Sequence, residues 1–121
     1  MNKWLLPIFT GMSLSGCVLQ PQLAFNDDTA WKNYGYETAL SGMIKNSEDD
    51  LRSRDKMKSL QATGYQAYSD GYELGRTEYC AQNAFILGVK NLAYHGICDR
   101  LDWTFRQDYI SGRTSSAGRS F

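Results

Sequence analysis

The stretch from Tyr65 to Cys98 constrains the fold of this chain more than any other. Tyrosines recur there at intervals of three, four and seven residues, which places them on one face of a helix: Tyr65, Tyr68, Tyr72 and Tyr79. Gly71 and Gly75 lie four residues apart in the same stretch. Because a glycine inside a helix costs about 1 kcal/mol relative to alanine, such a pair usually has a packing reason. The pattern predicts a helix over about residues 65–80 that another backbone approaches closely.

Shorter patterns predict the rest of an all-α fold. Asp28 or Thr29 is the predicted N-cap of a first helix, whose marked face is Trp31, Gly35, Thr38 and Gly42. The alternative for Gly42 is that it ends this helix. A charged helix follows the cap Ser47 over about residues 48–61, and Asn83 offers a cap for a short turn. Asp99 is the predicted cap of a last helix, in which apolar residues recur every four positions: Leu101, Phe105 and Tyr109. No segment alternates with period two, so we predict about four or five short helices and no strand.

The N-terminal residues have the composition of an export signal. Lys3 precedes a short apolar run over residues 4–9, and small residues follow up to Cys17. The run is too short to cross a bilayer as a permanent helix. A cleaved secretory signal is therefore predicted in preference to a membrane span.

The sequence Leu14-Ser15-Gly16-Cys17 resembles the lipobox of bacterial lipoproteins. That resemblance implies a lipoprotein signal peptide over residues 1–16 and about three acyl chains on Cys17, enough for stable anchoring in a bilayer. Residues 17–28 would then form a lipidated tether. Because Val18 and not aspartate follows the cysteine, we expect the inner leaflet of the outer membrane, facing the periplasm, with surface exposure left open. An ordinary signal peptide with a chance cysteine is the alternative.

The charges of the chain are balanced, with 13 basic and 13 acidic residues. Removal of residues 1–16 takes away only Lys3 among them, which leaves a net charge of −1. Nucleic-acid binding requires a clustered basic surface, so nucleic acid is not an expected partner.

Cys80 and Cys98 admit more than one interpretation. In an exported chain they could form a disulfide around 17 residues, and a loop of that size contributes about 3 kcal/mol. A Cys–His metal site or a catalytic thiol is the alternative, since His95, the only histidine, lies three residues before Cys98. One histidine and two cysteines fall short of the usual zinc ligands, and a catalytic thiol would lack a third partner. We therefore expect no metal, no cofactor and no catalytic residue.

Taken together, these residues resemble a family of uncharacterised bacterial lipoproteins, domain of unknown function 2799, over about residues 31–112. Aromatic, glycine and cysteine positions carry the resemblance: Trp31, Gly35, Tyr68, Gly71, Gly75, Tyr79-Cys80, Phe85, Gly88, Tyr94-x-Gly96-x-Cys98 and Tyr109-x-x-Gly112-Arg113. The resemblance implies export, lipidation and a Cys80–Cys98 pair, and it implies no activity. Ala84 and Asn91 depart from the family pattern, in which glycine is expected at both positions, and this puts the shape of the 81–97 loop in question.

These observations predict a helical domain over residues 29–112 and a disordered tail over residues 113–121. Aromatic and glycine residues form the expected packing signature: Tyr68, Gly71, Tyr72, Gly75, Tyr79, Tyr94 and Gly96. The motif Tyr-x-x-Gly-Arg occurs at Tyr72 and again at Tyr109, which suggests helical hairpins that pack in similar ways.

The expected function is that of an outer-membrane-anchored envelope lipoprotein that is not an enzyme and acts as a binding or structural module. Its expected partners are the lipid bilayer, through acyl chains on Cys17, and an envelope protein or peptidoglycan. The alternative is a glycan-binding or glycan-cleaving protein. It would use the tyrosine face and one acid of the same helix: Asp70, Glu73 or Glu78. Substitution of Tyr72 discriminates between the two: lost binding with an unchanged melting temperature favours the ligand role, whereas unfolding favours a role in the core.

Overall fold

The computed structural model of the protein describes residues 22–115, which contain five helices and no strand beyond an isolated bridge. The helices are α1 (Asp28–Leu40), α2 (Glu48–Arg54), α3 (Ala62–Cys80), α4 (Ala84–Val89) and α5 (Phe105–Thr114). A disulfide joins Cys80 to Cys98. The prediction of a small all-α domain with four or five short helices and one disulfide is confirmed. The predicted signal peptide, Cys17 and residues 116–121 lie outside the described residues.

Side-chain caps fix where three of the helices begin. Asp27 accepts from the backbone N–H of Ala30 at 2.7 Å, Ser47 from Asp50 at 3.1 Å, and Asn83 from Ile86 at 3.2 Å. Each bond satisfies one of the N–H groups that a first helical turn leaves without a partner. The caps Ser47 and Asn83 are confirmed, whereas the cap of α1 is one residue earlier than predicted.

The charged helix α2 ends at Arg54, seven residues before the predicted end at residue 61. Asp55 stops it, because its carboxylate accepts from the backbone N–H of Leu60 at 2.8 Å and so stabilises a turn. Lys58 lies within that turn at φ +50°. Charge pattern alone could not predict this competing bond.

Glycines bring α1 and α3 into backbone contact. A Cβ atom built on Gly71 would overlap with the carbonyl oxygen of Lys32, and one on Gly35 would overlap with that of Tyr68. Gly71 therefore faces the carbonyl group of the residue three positions before Gly35, and Gly35 faces that of the residue three positions before Gly71. Gly75 meets the carbonyl of Tyr36 in the same way. The close backbone approach predicted from Gly71 and Gly75 is confirmed.

The same relation recurs between α4 and α5. A Cβ atom on Gly88 would overlap with the carbonyl oxygen of Tyr109, and one on Gly112 with that of Phe85. These carbonyls again lie three residues before the opposite glycine. The two helix pairs therefore pack in similar ways, as the sequence suggests, but only the Tyr109 copy of the Tyr-x-x-Gly-Arg motif forms the reciprocal contact. In α1–α3 that contact is formed by Tyr68 and Gly71, four residues before the copy at Tyr72.

Two hydrophobic clusters form the core, one at each helix pair. The first contains Leu23, Trp31, Leu51, Leu60 and Tyr68. The second contains Tyr79, Ala84, Leu87, Ile97, Cys98, Phe105 and Tyr109. The helix α3 connects them, since Tyr68 near its start and Tyr79 near its end belong to different clusters.

Both predicted ends of the domain need correction. Residues 22–27, predicted as part of the tether, pack on the domain: Leu23 is 6% exposed and its backbone exchanges 2.8 Å hydrogen bonds with Arg54 and Lys56. The ring of Phe25 also packs edge-on against Trp31, with centroids 4.9 Å apart. At the other end α5 continues to Thr114, because Gly112 is a packing position inside the helix and does not end it.

Candidate functional site

The tyrosine face of α3, which the sequence offers as core or as ligand groove, is buried at three of its four tyrosines, and Tyr65 is half-buried. Tyr68, Tyr72 and Tyr79 are 0%, 3% and 6% exposed. The Tyr72 hydroxyl donates to the carbonyl oxygen of Met43 at 2.8 Å, and the Tyr68 hydroxyl accepts from the backbone N–H of Asn46 at 2.9 Å. The tyrosines therefore fill the core and hold the loop that follows α1.

Burial also moves the pKa values of these hydroxyls further above neutral pH. Desolvation raises the pKa of Tyr68, and it raises the pKa of Tyr72 to about 12. Both side chains stay protonated at neutral pH. They act as hydrogen-bonding groups that fix a loop.

The acids of α3 are bound to separate neighbours. Asp70 accepts from the Gln66 amide at 2.8 Å, Glu73 pairs with Arg76, and Glu78 accepts from the Tyr36 hydroxyl. A glycosidase needs two carboxyl groups that face each other across a cleft. Along α3 the structure shows no such pair.

The disulfide fixes the loop over residues 91–104 against the end of α3. The Cα atoms of Cys80 and Cys98 are 5.5 Å apart, and Cys98 is completely buried. With both sulfur atoms bonded, neither cysteine can be a metal ligand or a nucleophile. Within residues 22–115, no group of three or more His, Cys, Asp and Glu side chains is placed to hold a metal ion.

Asn91 and Gly96 give this loop its shape, since their φ angles are +55° and +82°. The left-handed region favours glycine, and asparagine tolerates it better than most other residues. Asn91 therefore supplies a left-handed conformation at a position where glycine is expected. At Gly96 a Cβ atom would lie 2.8 Å from Nη2 of Arg106, so an arginine side chain also fills the space above the glycine.

A network of three side chains ties this loop to α5. The Tyr94 hydroxyl donates to Oδ1 of Asp99 at 2.6 Å and accepts from the backbone N–H of Cys98 at 3.1 Å. Arg106 donates to Oδ2 of Asp99 through Nη2 at 2.7 Å and Nε at 3.1 Å. Bonds from Arg106 and Tyr94 hold the pKa of Asp99 below its usual value, whereas burial and the bond to Asp99 raise the pKa of Tyr94.

The predicted start of the last helix at Asp99 is wrong, because the side chain of Asp99 is engaged in this network. The Asp99 carboxylate is held by Arg106 and Tyr94, and α5 begins at Phe105 after a series of turns. Leu101 and Trp103 lie in those turns and are 51% and 80% exposed. The loop thus projects apolar side chains, while the exposed Asp99 carboxylate is bound by Tyr94 and Arg106.

Two cavities flank the loop. The first, the loop cavity, has a volume of about 420 Å³, and its charged or titratable lining residues are Lys45, Tyr72, Glu73, Arg76, His95, Asp99 and Arg100. The second, the arginine cavity, has a volume of about 590 Å³ and is lined chiefly by Tyr94, Arg106, Tyr109, Ile110 and Arg113. Both volumes are in the range of small-ligand pockets. The loop and these cavities form the candidate binding surface.

Sequence reasoning identified part of this surface. Tyr94, Gly96 and Cys98 are signature residues that shape the loop, and His95 lines the loop cavity. Arg106 and Arg113 were missed as site residues, and only their spacing of seven, which places them on one face of a helix, could have drawn attention to them. No helix within residues 22–115 is both long enough and apolar enough to cross a bilayer.

Residues 22–115 form a small all-α domain with two helix pairs that pack through glycines and with one disulfide bond. The chain belongs to the family described as protein of unknown function (DUF2799), whose model matches residues 30–114. No curated protein and no solved structure matches the chain. The family membership is as the residue pattern suggests, and the family description assigns no activity.

Proposed function

We propose that this protein is an envelope lipoprotein, held in the inner leaflet of the outer membrane by acyl chains on Cys17, with its helical domain facing the periplasm. The lipobox over residues 14–17 supports the anchor. The disulfide supports export, since disulfides persist in oxidising compartments such as the periplasm and are rare in the cytosol.

We further infer that the domain is a non-enzymatic binding module whose binding surface is the loop over residues 91–104. One observation carries this inference: the loop is fixed by Cys98 and lines a cavity on each side, with Asp99 and Arg100 in the loop cavity and Tyr94 in the arginine cavity. Binding residues concentrate on loops that a rigid scaffold positions. An envelope protein with mixed charges suits the loop cavity, in which basic residues alternate with Glu73 and Asp99.

The glycan-binding or glycan-cleaving alternative has less support. Its aromatic face would be Tyr68, Tyr72 and Tyr79, which are buried, and its acids are held by separate partners. Turnover of an envelope substrate by the purified protein would contradict the non-enzymatic role.

Mass spectrometry of the protein isolated from membranes tests the acylation of Cys17 and the Cys80–Cys98 disulfide together. The expected mature chain begins at Cys17, carries acyl groups on that residue and has no free thiol. An unmodified Cys17, or free thiols at Cys80 and Cys98, would contradict the proposal. The Cys17→Ser variant should move from the membrane fraction to the soluble fraction.

Site-specific photocrosslinking tests the binding surface. Arg100 is exposed beside the loop cavity, and Lys56 is an exposed basic residue outside this loop, which makes it a matched control. A crosslinker at residue 100 should capture a defined envelope protein that a crosslinker at residue 56 does not. Equal capture from both positions, or capture from neither, would contradict the assignment.

A further inference from the structure

The arginine cavity has a floor of two aromatic rings, each covered by a guanidinium group. The rings of Tyr94 and Tyr109 are 5.4 Å apart between centroids. The Cζ atom of Arg106 lies 5.3 Å from the Tyr94 centroid, and that of Arg113 lies 5.9 Å from the Tyr109 centroid. Stacking on a ring orients the planar guanidinium and reduces the rotamer freedom that binding would otherwise remove.

The rings themselves are held in place. The Tyr109 hydroxyl donates to the carbonyl oxygen of Leu92 at 2.8 Å, and the Tyr94 hydroxyl is bonded to Asp99 and Cys98. Both tyrosines belong to or pack against the second hydrophobic cluster. The two arginines therefore rest on a rigid floor, and their donors are arranged before any ligand arrives.

The cavity carries a net positive charge, since only Arg106 of its two arginines has a carboxylate partner within residues 22–115. Its lining contains no carboxylate. Asp99 engages Arg106 through Nε and Nη2, which leaves the Nη1 group of Arg106 as a donor. Within residues 22–115, Arg113 forms no ion pair with an acidic side chain. An anion is therefore the ligand that this lining favours.

The number of hydrogen-bond donors on the two arginines favours a phosphate group over a carboxylate as the anion. A single guanidinium fork satisfies the two oxygens of a carboxylate, whereas a phosphate group offers further acceptor oxygens to a second arginine. Ile110 lies between Arg106 and Arg113 on α5 and is 44% exposed, which suits a ligand with an apolar portion next to its anionic group. Ester-linked phosphate has both properties.

We propose that the arginine cavity binds a phosphate ester, with Arg106 and Arg113 donating to its oxygens. This inference rests on the proposed binding role and names the ligand chemistry for one of its two cavities. The ester has two possible sources, the headgroup of an anionic phospholipid or a soluble phosphorylated compound. The phosphate chemistry is common to both.

NMR titration of the chain over residues 17–121 carrying Cys17→Ser tests the proposal without a contribution from acyl chains. The probes are inorganic phosphate and glycerol 3-phosphate, and, in sedimentation, vesicles of phosphatidylcholine with and without phosphatidylglycerol. Saturable shifts are expected at residues 93–94 and 106–114. Arg106→Gln and Arg113→Gln should each weaken binding about fivefold or more.

Arg52→Gln is the control. Arg52 and Arg106 have side-chain exposures of 49% and 47%, and each has a carboxylate partner at 2.7 Å. Arg52→Gln should leave binding unchanged. Because Arg113→Gln breaks no ion pair to an acidic side chain of the described range, it keeps the test valid if Arg106→Gln disturbs the loop.

The outcomes separate the two sources. Selective binding to phosphatidylglycerol vesicles supports a lipid headgroup, and binding only to the soluble phosphates supports a soluble ester. Equal weakening by Arg52→Gln would show a response to overall charge and overturn the proposal, as would absence of binding to every probe. The acylation and crosslinking results would remain unaffected, so failure of this inference is distinguishable from failure of the proposed function.

Discussion

The helix pairs α1–α3 and α4–α5 share one contact and differ in what supports it. In both, paired glycines let each helix approach the carbonyl three residues before the opposite glycine. The helices of the first pair have 13 and 19 residues, and those of the second only 6 and 10. Isolated helices shorter than about 12 residues are marginal in water. The second pair needs support from outside, and the disulfide supplies it.

The two helix pairs also differ in how closely each is connected to the candidate binding surface. The first pair buries Tyr68 and Tyr72 of α3 in the core. The second pair is bound to the loop over residues 91–104, whose Tyr94–Asp99–Arg106 network opens toward both cavities. A staple near a binding surface reduces the number of conformations that a partner must select. The signature helix α3 therefore positions the site without forming it.

The largest expected effect is that of a methyl group at the closest helix contact. Gly71→Ala would place Cβ on the Lys32 carbonyl, which is backbone and cannot move aside, so we expect a loss of about 3 kcal/mol or more in the free energy of unfolding. Gly64→Ala on the same helix is the control, since its Cβ would meet side-chain atoms at 3.2 Å and 3.3 Å. Denaturant unfolding of both variants measures the difference, and equal stability would contradict the contact.

Removal of the disulfide should lower the free energy of unfolding by about 3 kcal/mol. It should make only the α4–α5 pair more sensitive to a second substitution. In the Cys80→Ser/Cys98→Ser background, Gly112→Ala should become more destabilising than it is in the wild type, because the loop that joins α4 to α5 is then no longer tied to the end of α3. Gly71→Ala should cost the same in both backgrounds. A double-mutant cycle measures these couplings. Coupling of the disulfide to Gly71 alone would reverse the comparison.

Matched tyrosine variants test the loops that each pair holds. The hydroxyls of Tyr72 and Tyr109 both donate to a loop carbonyl at 2.8 Å, to Met43 and Leu92 respectively. Tyr72→Phe and Tyr109→Phe should each cost about 1 kcal/mol, the net value of such a bond. Only Tyr109→Phe should alter the NMR signals of the arginine cavity. A change there from Tyr72→Phe alone would contradict the division of roles.

Acidification gives the smallest effect. The pKa of Asp99 is lowered by Arg106 and Tyr94, so its network stabilises the fold above the ordinary carboxyl range, and this contribution is lost as pH falls through the lowered pKa. The effect is small because the Asp99 side chain is 41% exposed. The amide signal of Cys98, followed between about pH 6 and pH 2, should titrate in the wild type and not in Asp99→Asn. An identical titration in both would contradict the network.

Residue spacing in the sequence predicts the helices and their close packing well. It predicts side-chain bonds between positions that follow no period poorly. The spacing of the tyrosines and glycines predicts α3 and its close packing, since these depend on helical period and residue size. The end of α2 and the start of α5 are mispredicted because Asp55 and Asp99 bind groups five and seven residues away. Such bonds leave no periodic signal. The arginine cavity likewise depends on Tyr94 and Arg113, which only the folded chain brings together.

Hydrogen–deuterium exchange before and after reduction of the disulfide tests most directly whether the two pairs are supported differently. On reduction, the amides of α4, α5 and the 91–104 loop should lose protection, whereas α1 and the first half of α3 should keep theirs. An equal loss of protection in both pairs, or no change in either, would contradict this account.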